Sequence, residues 1–177
     1  FLKGVTWRGT VNASQTPTMQ AAQNSAQVFL GINLKCNSCH DSFISHWKLR
    51  EAYALASFFS TEPLEIVKCD KATGETAQPT FLFPELVSIS ANATLAERRA
   101  AAARMFTSKE NGLFARTIVN RLWKQLLGHG LVEPADEMEN PAWYPELLDW
   151  LAADLIANNY DLKHLLRTIV LSEPYQR

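Results

Sequence analysis

The chain has 177 residues, 47% of them apolar and 20% charged, an ordinary globular mix and enough to bury a core without staples. Its 17 basic and 18 acidic residues leave a formal charge of −1 with no basic cluster, which argues against a nucleic-acid surface. No apolar run approaches the ~18 residues a membrane-spanning helix needs, and three cysteines do not make a disulfide framework.

In chain order, GVTWRGTV (4–11) alternates Val5, Trp7 and Val11 on one side and predicts a strand. Thr16-Pro17 is a helix start, a threonine cap followed by proline in the first turn. That helix is expected to run to about Asn33, with Ala22, Ala26, Phe29 and Leu30 inward, and to lead into CNSCH (36–40). A second helix is expected after Trp47, ending before Pro63. Residues 61–92 read as a long loop with extended pieces at 64–67 and 80–83, broken by Pro63, Gly74, Pro79 and Pro84.

The remainder is helical in pattern. Thr94 with Glu97 is a capping box opening a helix to about Phe106. Ala115, Ile118, Val119, Leu122 and Leu126 recur at helical spacing up to Gly128. Tyr144, Leu147, Leu148, Leu151 and Leu155 form another face, and Asp161 caps a last helix striped by Leu162, Leu165, Leu166, Ile169 and Val170. The expected fold class is mainly α, an irregular helical fold with a long central loop and a short strand pair. Residues 1–92 form the motif-bearing segment in this reading, and 93–177 a helical domain packed on it.

CNSCH is C-x-x-C-H, the attachment signature of haem c. Two thiols three residues apart can add to the two vinyl groups of a porphyrin. The adjacent histidine then falls beneath the iron as its proximal ligand. Zinc is a rival, but Cys69 lies 29 residues beyond His40 and has no C-x-x-C partner. A thioredoxin-like redox pair is another, without the βαβ context it needs.

The stretches 30–59, 66–86, 110–138 and 146–176 resemble the planctomycete-type cytochrome c family of large surface and periplasmic proteins, with paired domains of unknown function around a CxxCH motif. The NRLW and GHGLVEP blocks (120–134) and the run ELLDWLA to YDLKHLLRTIVLS (146–172) carry much of the likeness. The resemblance implies a covalent haem c, one per chain, in a periplasmic or otherwise extracytoplasmic setting. It implies the C-terminal half of a longer protein, with 93–177 in the second paired domain. The start at Phe1, without a signal-like segment, fits that expectation of a piece.

The iron's sixth position decides between an electron carrier and a reactive site. Cys69 is the first candidate, because the central loop can fold over the far haem face, and the resembling family tends to have the Cys69-Asp70 and Thr73-Gly74 pattern there. His46 is a lesser one: six residues beyond His40, it spans at most about 20 Å. The family often has an acidic residue in its place. Met105 is another, set against a role in the core. Met19, Met138, His129 and His164 are weaker, and a vacant position is the remaining option. Phe43, Trp47 and Phe58 are expected to pack on the haem.

Asp136, Glu137 and Glu139 are a carboxylate group, more often a solvated face than an acid–base site. Trp143, Tyr144 and Trp150 can line a sugar site but at helical spacing read first as core. Arg116, Arg121 and Lys124 can meet haem propionates or lie on the surface. The expected function is electron transfer to a redox partner or to the missing half of the longer protein, without catalysis. A haem enzyme with an open distal position and a haem-stapled binding module are the alternatives.

Overall fold

The structure, a computed structural model, describes residues 15–86, 89–90 and 92–177. The strand expected over 4–11 lies outside them. The described residues hold seven α-helices and one two-stranded antiparallel sheet. The chain forms two compact units.

The first unit contains the described residues up to Ala26 together with Asn33–Ser108. Helix α1 is Pro17–Ser25, and its start follows from the sequence: the Thr16 hydroxyl accepts from the Met19 N–H at 3.2 Å, with proline in the first turn. The chain continues in a wider π turn, Ala26–Leu30, and stops at Gly31, whose φ of +64° no helix continues. Helix α2, Leu49–Ala56, packs on α1 and buries Leu49, Ala52, Tyr53, Leu55 and Ala56. Its first N–H groups are taken by Glu51, which accepts from the Lys48 N–H at 2.7 Å, and by Asp41, which accepts from the Leu49 N–H at 2.8 Å.

Strand β1, Glu65–Lys68, realises the extended piece expected at 64–67 and pairs with β2, Lys71–Thr76. The second extended piece, 80–83, is not a strand: Phe81 and Leu82 are buried as core residues of an irregular segment. The actual partner is exposed and polar along its whole length, so it carries no period-2 pattern by which sequence reveals a strand. Helix α3, Leu95–Phe106, opens on the expected capping box, with Glu97 accepting from the Thr94 N–H at 2.8 Å. The Arg98 guanidinium donates to the Ser60 carbonyl at 2.8 Å and to the Ser57 carbonyl, both at the end of α2. Phe106 meets Phe81 edge-on at 5.1 Å. These contacts tie α3 to the first unit, so the units part at 108/109 rather than at the 92/93 boundary read from sequence.

The second unit contains Gln27–Ile32 and Lys109–Arg177. Helices α4 (Gly112–Leu127), α5 (Pro145–Ala157) and α6 (Leu162–Val170) pack on one another, and a short α7 (Glu173–Gln176) follows. The expected stripes meet here: Ala115 and Val119 of α4, Leu148, Leu151 and Leu155 of α5, and Leu165 and Ile169 of α6 share one core. Gly128 ends α4 with φ of +87°, and Asp161 caps α6 by accepting from the Lys163 and His164 N–H groups at 2.9 and 3.2 Å.

Leu131, Val132 and Met138 of the α4–α5 connection complete this core. Met138 is held by Gly31, whose carbonyl accepts from the Met138 N–H at 2.9 Å. A Cβ on Gly31 would overlap the Met138 side chain, and its left-handed φ disfavours any L side chain. Gly31→Ala is therefore expected to destabilise the protein by about 2 kcal/mol, read as a lower urea midpoint at unchanged m-value.

Candidate functional site

The CNSCH segment is a single tight turn, Cys36–Ser38 being one turn of 3-10 helix. The N–H groups of Cys39 and His40 both reach the Cys36 carbonyl at 3.4 Å. Its two middle residues are buried and act as anchors. Asn37 donates from Nδ2 to the Trp47 carbonyl at 2.7 Å, and Ser38 donates to the Lys35 carbonyl at 2.9 Å and accepts from Gln15. From below, the Tyr53 hydroxyl lies 3.2 Å from the Val67 carbonyl and 3.4 Å from that of Ser38. Gln23 donates to the Leu34 and Lys35 carbonyls at 3.3 Å. With Asn37 and Ser38 turned inward, Cys36 is exposed, and Cys39 and His40 are half-buried.

The His40 ring has a defined tautomer. Its Nδ1 lies 2.6 Å from the Asp41 carbonyl oxygen. A carbonyl only accepts, so in the neutral ring the proton sits on Nδ1 and Nε2 carries the lone pair. Phe43 lies against the imidazole with ring centroids 4.6 Å apart and planes 30° apart. Phe43 and the adjacent Ile44 are 88% and 85% exposed, an apolar pair standing in solvent beside the motif.

Cys69 is brought to the same place. It forms with Asp70 the two-residue turn between β1 and β2, at φ of 46° and 66°. Such turns normally use Asn or Gly, because a side chain at positive φ is strained. From this tip the Cys69 N–H donates to the Cys39 carbonyl at 2.9 Å, and its thiol lies 3.5 Å from the same oxygen. Burial pushes the Cys39 thiol up, and the neighbouring Cys69, Cys36 and Asp70 push it the same way. Only the thiolate is nucleophilic. Alkylation of Cys39 by iodoacetamide is therefore expected to be slow at neutral pH. Its rate should still climb above the ordinary thiol value, and Cys69→Ala should move the curve to lower pH. Peptide-resolved mass spectrometry reads both.

The other residues singled out from sequence fall elsewhere. Phe58 and Met105 are wholly buried in the first unit, and Trp47 is buried with its edge toward Phe83 at 6.2 Å. His46 is exposed and stacks on Trp47 at 4.2 Å. Among the described residues, no three of His, Cys, Asp and Glu are grouped as a metal ion would require. In the second unit Arg116 pairs with Asp149 at 3.1 Å, Arg121 with Asp136 at 2.6 Å and Lys124 with Glu133 at 2.8 Å. Arg121 also donates to the Gln27 carbonyl at 2.8 Å. His164 pairs with Asp154 at 2.7 Å. The carboxylate Asp136 is thus engaged by a cation rather than paired with its acidic neighbours. Trp143, Tyr144 and Trp150 are 79%, 64% and 57% exposed, which overturns their first reading as core.

Sequence reasoning passed over Asn37, Ser38, Gln23 and Tyr53. The first two are the variable positions of the motif, and the others sit in helices, where Tyr53 reads only as part of the second helix and no motif marks a site role. Their role is set by which carbonyls the fold brings within reach.

Residues 2–63 match the PSCyt2 family, a protein of unknown function (DUF1549), and residues 98–177 match the PSD1 family, a protein of unknown function (DUF1553). No curated protein and no solved structure matches the chain. The chain thus joins a stretch like DUF1549 to a stretch like DUF1553, two families without an assigned activity whose names suggest planctomycete cytochrome c-type proteins.

Proposed function

We propose that the chain carries one haem c, bonded through Cys36 and Cys39 and ligated by His40 Nε2, and that it passes single electrons to a partner protein. The observation that carries this reading is the His40 tautomer. The Asp41 carbonyl holds the Nδ1 proton, so the nitrogen that iron would take is free, next to two accessible thiols on one turn. The donors also fit by not converging. Thioether attachment needs the sulfurs at the porphyrin edge and the imidazole at its centre, whereas a zinc site needs all of them around one point.

Haem, when bound, supplies an iron couple that accepts and returns one electron. The protein's own part is to orient and to shield. Asn37, Ser38 and Tyr53 fix the turn, and the Asp41 carbonyl orients the imidazole. The exposed side chains of Phe43 and Ile44 supply apolar surface against which the porphyrin edge can rest. Such a carrier belongs in an extracytoplasmic compartment, with weak and transient partner contacts. No helix among the described residues is long and apolar enough to cross a membrane.

A second reading follows from the placement of the distal candidates. Met105 is wholly buried, His46 is stacked on Trp47, and Cys69 is hydrogen-bonded to the Cys39 carbonyl. Each would have to give up these contacts to serve as an iron ligand. That favours an open sixth position, where a diatomic gas or a peroxide can bind.

Expression with haem c maturation in an oxidising compartment tests the attachment. The expected product keeps its colour through acid–acetone extraction. A chain that is colourless, or that releases its haem on extraction, sinks the proposal. Carbon monoxide added to the reduced protein separates the two readings: rapid binding supports the open site, and no binding supports two protein ligands.

A further inference from the structure

A cavity of about 450 Å³ lies in the second unit, between the end of α4, the loop that follows it, the start of α5 and Pro174 of α7. Its size is that of a small-ligand site. Trp123, Leu127, Leu131, Trp143 and Tyr144 make its lining mainly apolar and aromatic. Trp143 is placed by its backbone, whose N–H donates to the Leu131 carbonyl at 2.8 Å, while its side chain is 79% exposed. Two polar side chains, Glu133 and His129, complete the lining. Glu133 accepts from the Gly130 N–H at 2.7 Å and from Lys124 at 2.8 Å. The Lys124 ammonium, then the Gly130 N–H, hold its carboxyl below the usual range, so it is ionised and fixed in place.

We propose that this cavity binds a neutral pyranose sugar, stacked on Trp143 and hydrogen-bonded by Glu133. The chemistry of the lining selects that class. A cationic ligand would meet a carboxylate whose charge Lys124 already balances, and an anionic one would meet the carboxylate itself. A purely aliphatic ligand would strip water from the Glu133 carboxylate and return no hydrogen bond. A pyranose has an apolar C–H face for an indole and hydroxyls around its edge. A carboxylate offers about four acceptor sites, and the two bonds Glu133 already accepts leave room for sugar hydroxyls. Exposed aromatic rings are rigid and amphipathic, so ordering them on a ligand costs little.

Tryptophan fluorescence and titration calorimetry on the full chain test this. The probes are methyl β-glucoside and methyl β-galactoside, with short gluco-, manno- and chito-oligosaccharides. At least one is expected to bind saturably. Trp143→Ala is expected to weaken that binding about tenfold or more, with Trp143→Phe recovering part of it. Trp150→Ala, also exposed but outside the cavity, should leave it unchanged. Both positions are exposed, so far-UV circular dichroism should not move. The proposal is overturned if no sugar in the panel binds, if Trp143→Ala and Trp150→Ala act alike, or if tetramethylammonium or cyclohexanol binds the cavity and the sugars do not.

Discussion

Replacing Cys36 and Cys39 together by alanine is expected to remove all covalent haem and to leave the fold in place. Loss of haem follows from the proposed chemistry, since each thioether needs its own sulfur. Survival of the fold follows from packing. Cys36 is exposed and Cys39 is half-buried, while the turn is held by Asn37, Ser38 and Tyr53, which the variant keeps. The first unit has its own core, with Met19, Leu34, Leu55, Phe58 and Met105 buried. The haem-free chain should therefore lose no more than about 0.5 kcal/mol, the usual range for surface changes. Absorbance after acid–acetone extraction, paired with circular dichroism, checks both halves. Unfolding of the double variant would instead support a module whose haem mainly staples the chain. His40→Ala separates the roles further: attachment should survive, and the oxidised spectrum should change because the iron has lost its proximal ligand.

The largest effect on stability is expected at Asn120. It is wholly buried in α4 and pairs with one residue of the loop that follows. Its Nδ2 donates to the Val132 carbonyl and its Oδ1 accepts from the Val132 N–H, both at 2.9 Å. Val132 is itself buried, so the side-chain amide stands where a neighbouring strand would. Gly130 makes the approach possible: a Cβ there would press on the Val132 carbonyl and come within 3.0 Å of Asn120 Oδ1. Asn120→Ala would orphan a donor and an acceptor in a core, each costing about 1–3 kcal/mol, and would leave a small void. A loss of about 4 kcal/mol is expected by denaturant titration, a large part of the 5–15 kcal/mol that holds a typical domain. Asn120→Asp adds a pH signature. Burial raises the folded-state pKa of the introduced carboxyl above its unfolded value, so this variant should be most stable below the unfolded pKa. It should lose stability as pH rises through the folded one.

Several features were legible because they depend on near neighbours. The cap at Thr16-Pro17, the box of Thr94 with Glu97, the stop at Gly128 and the cap at Asp161 each involve backbone groups within one turn, and each stands where its spacing places it. The apolar stripes of α4, α5 and α6 were legible for the same reason: helical period alone sets which side chains share a face. The polar strand β2, by contrast, exists only because β1 is beside it, and no pattern within Lys71–Thr76 announces it. The capping box at Thr94 was visible, but the side on which α3 packs was not. That depends on Arg98 finding the carbonyls of Ser57 and Ser60, some forty residues back.

The site divides in the same way. By itself the sequence singled out the proposed donors, Cys36, Cys39 and His40, because attachment chemistry is a matter of spacing along a few residues. Tertiary structure alone decided which residues hold the turn, Trp47 through Asn37 and Tyr53 through Ser38, whereas the contact that orients the His40 ring is with its immediate neighbour Asp41. It also decided where Cys69 goes: to the tip of a strained two-residue turn beside Cys39. It turned Trp143 and Tyr144 outward over a cavity, although their spacing also suits a buried face. The physical reason is common to these cases. Local backbone geometry is encoded in adjacent side chains, whereas hydrogen-bond partners and burial depend on groups that only the folded chain brings together.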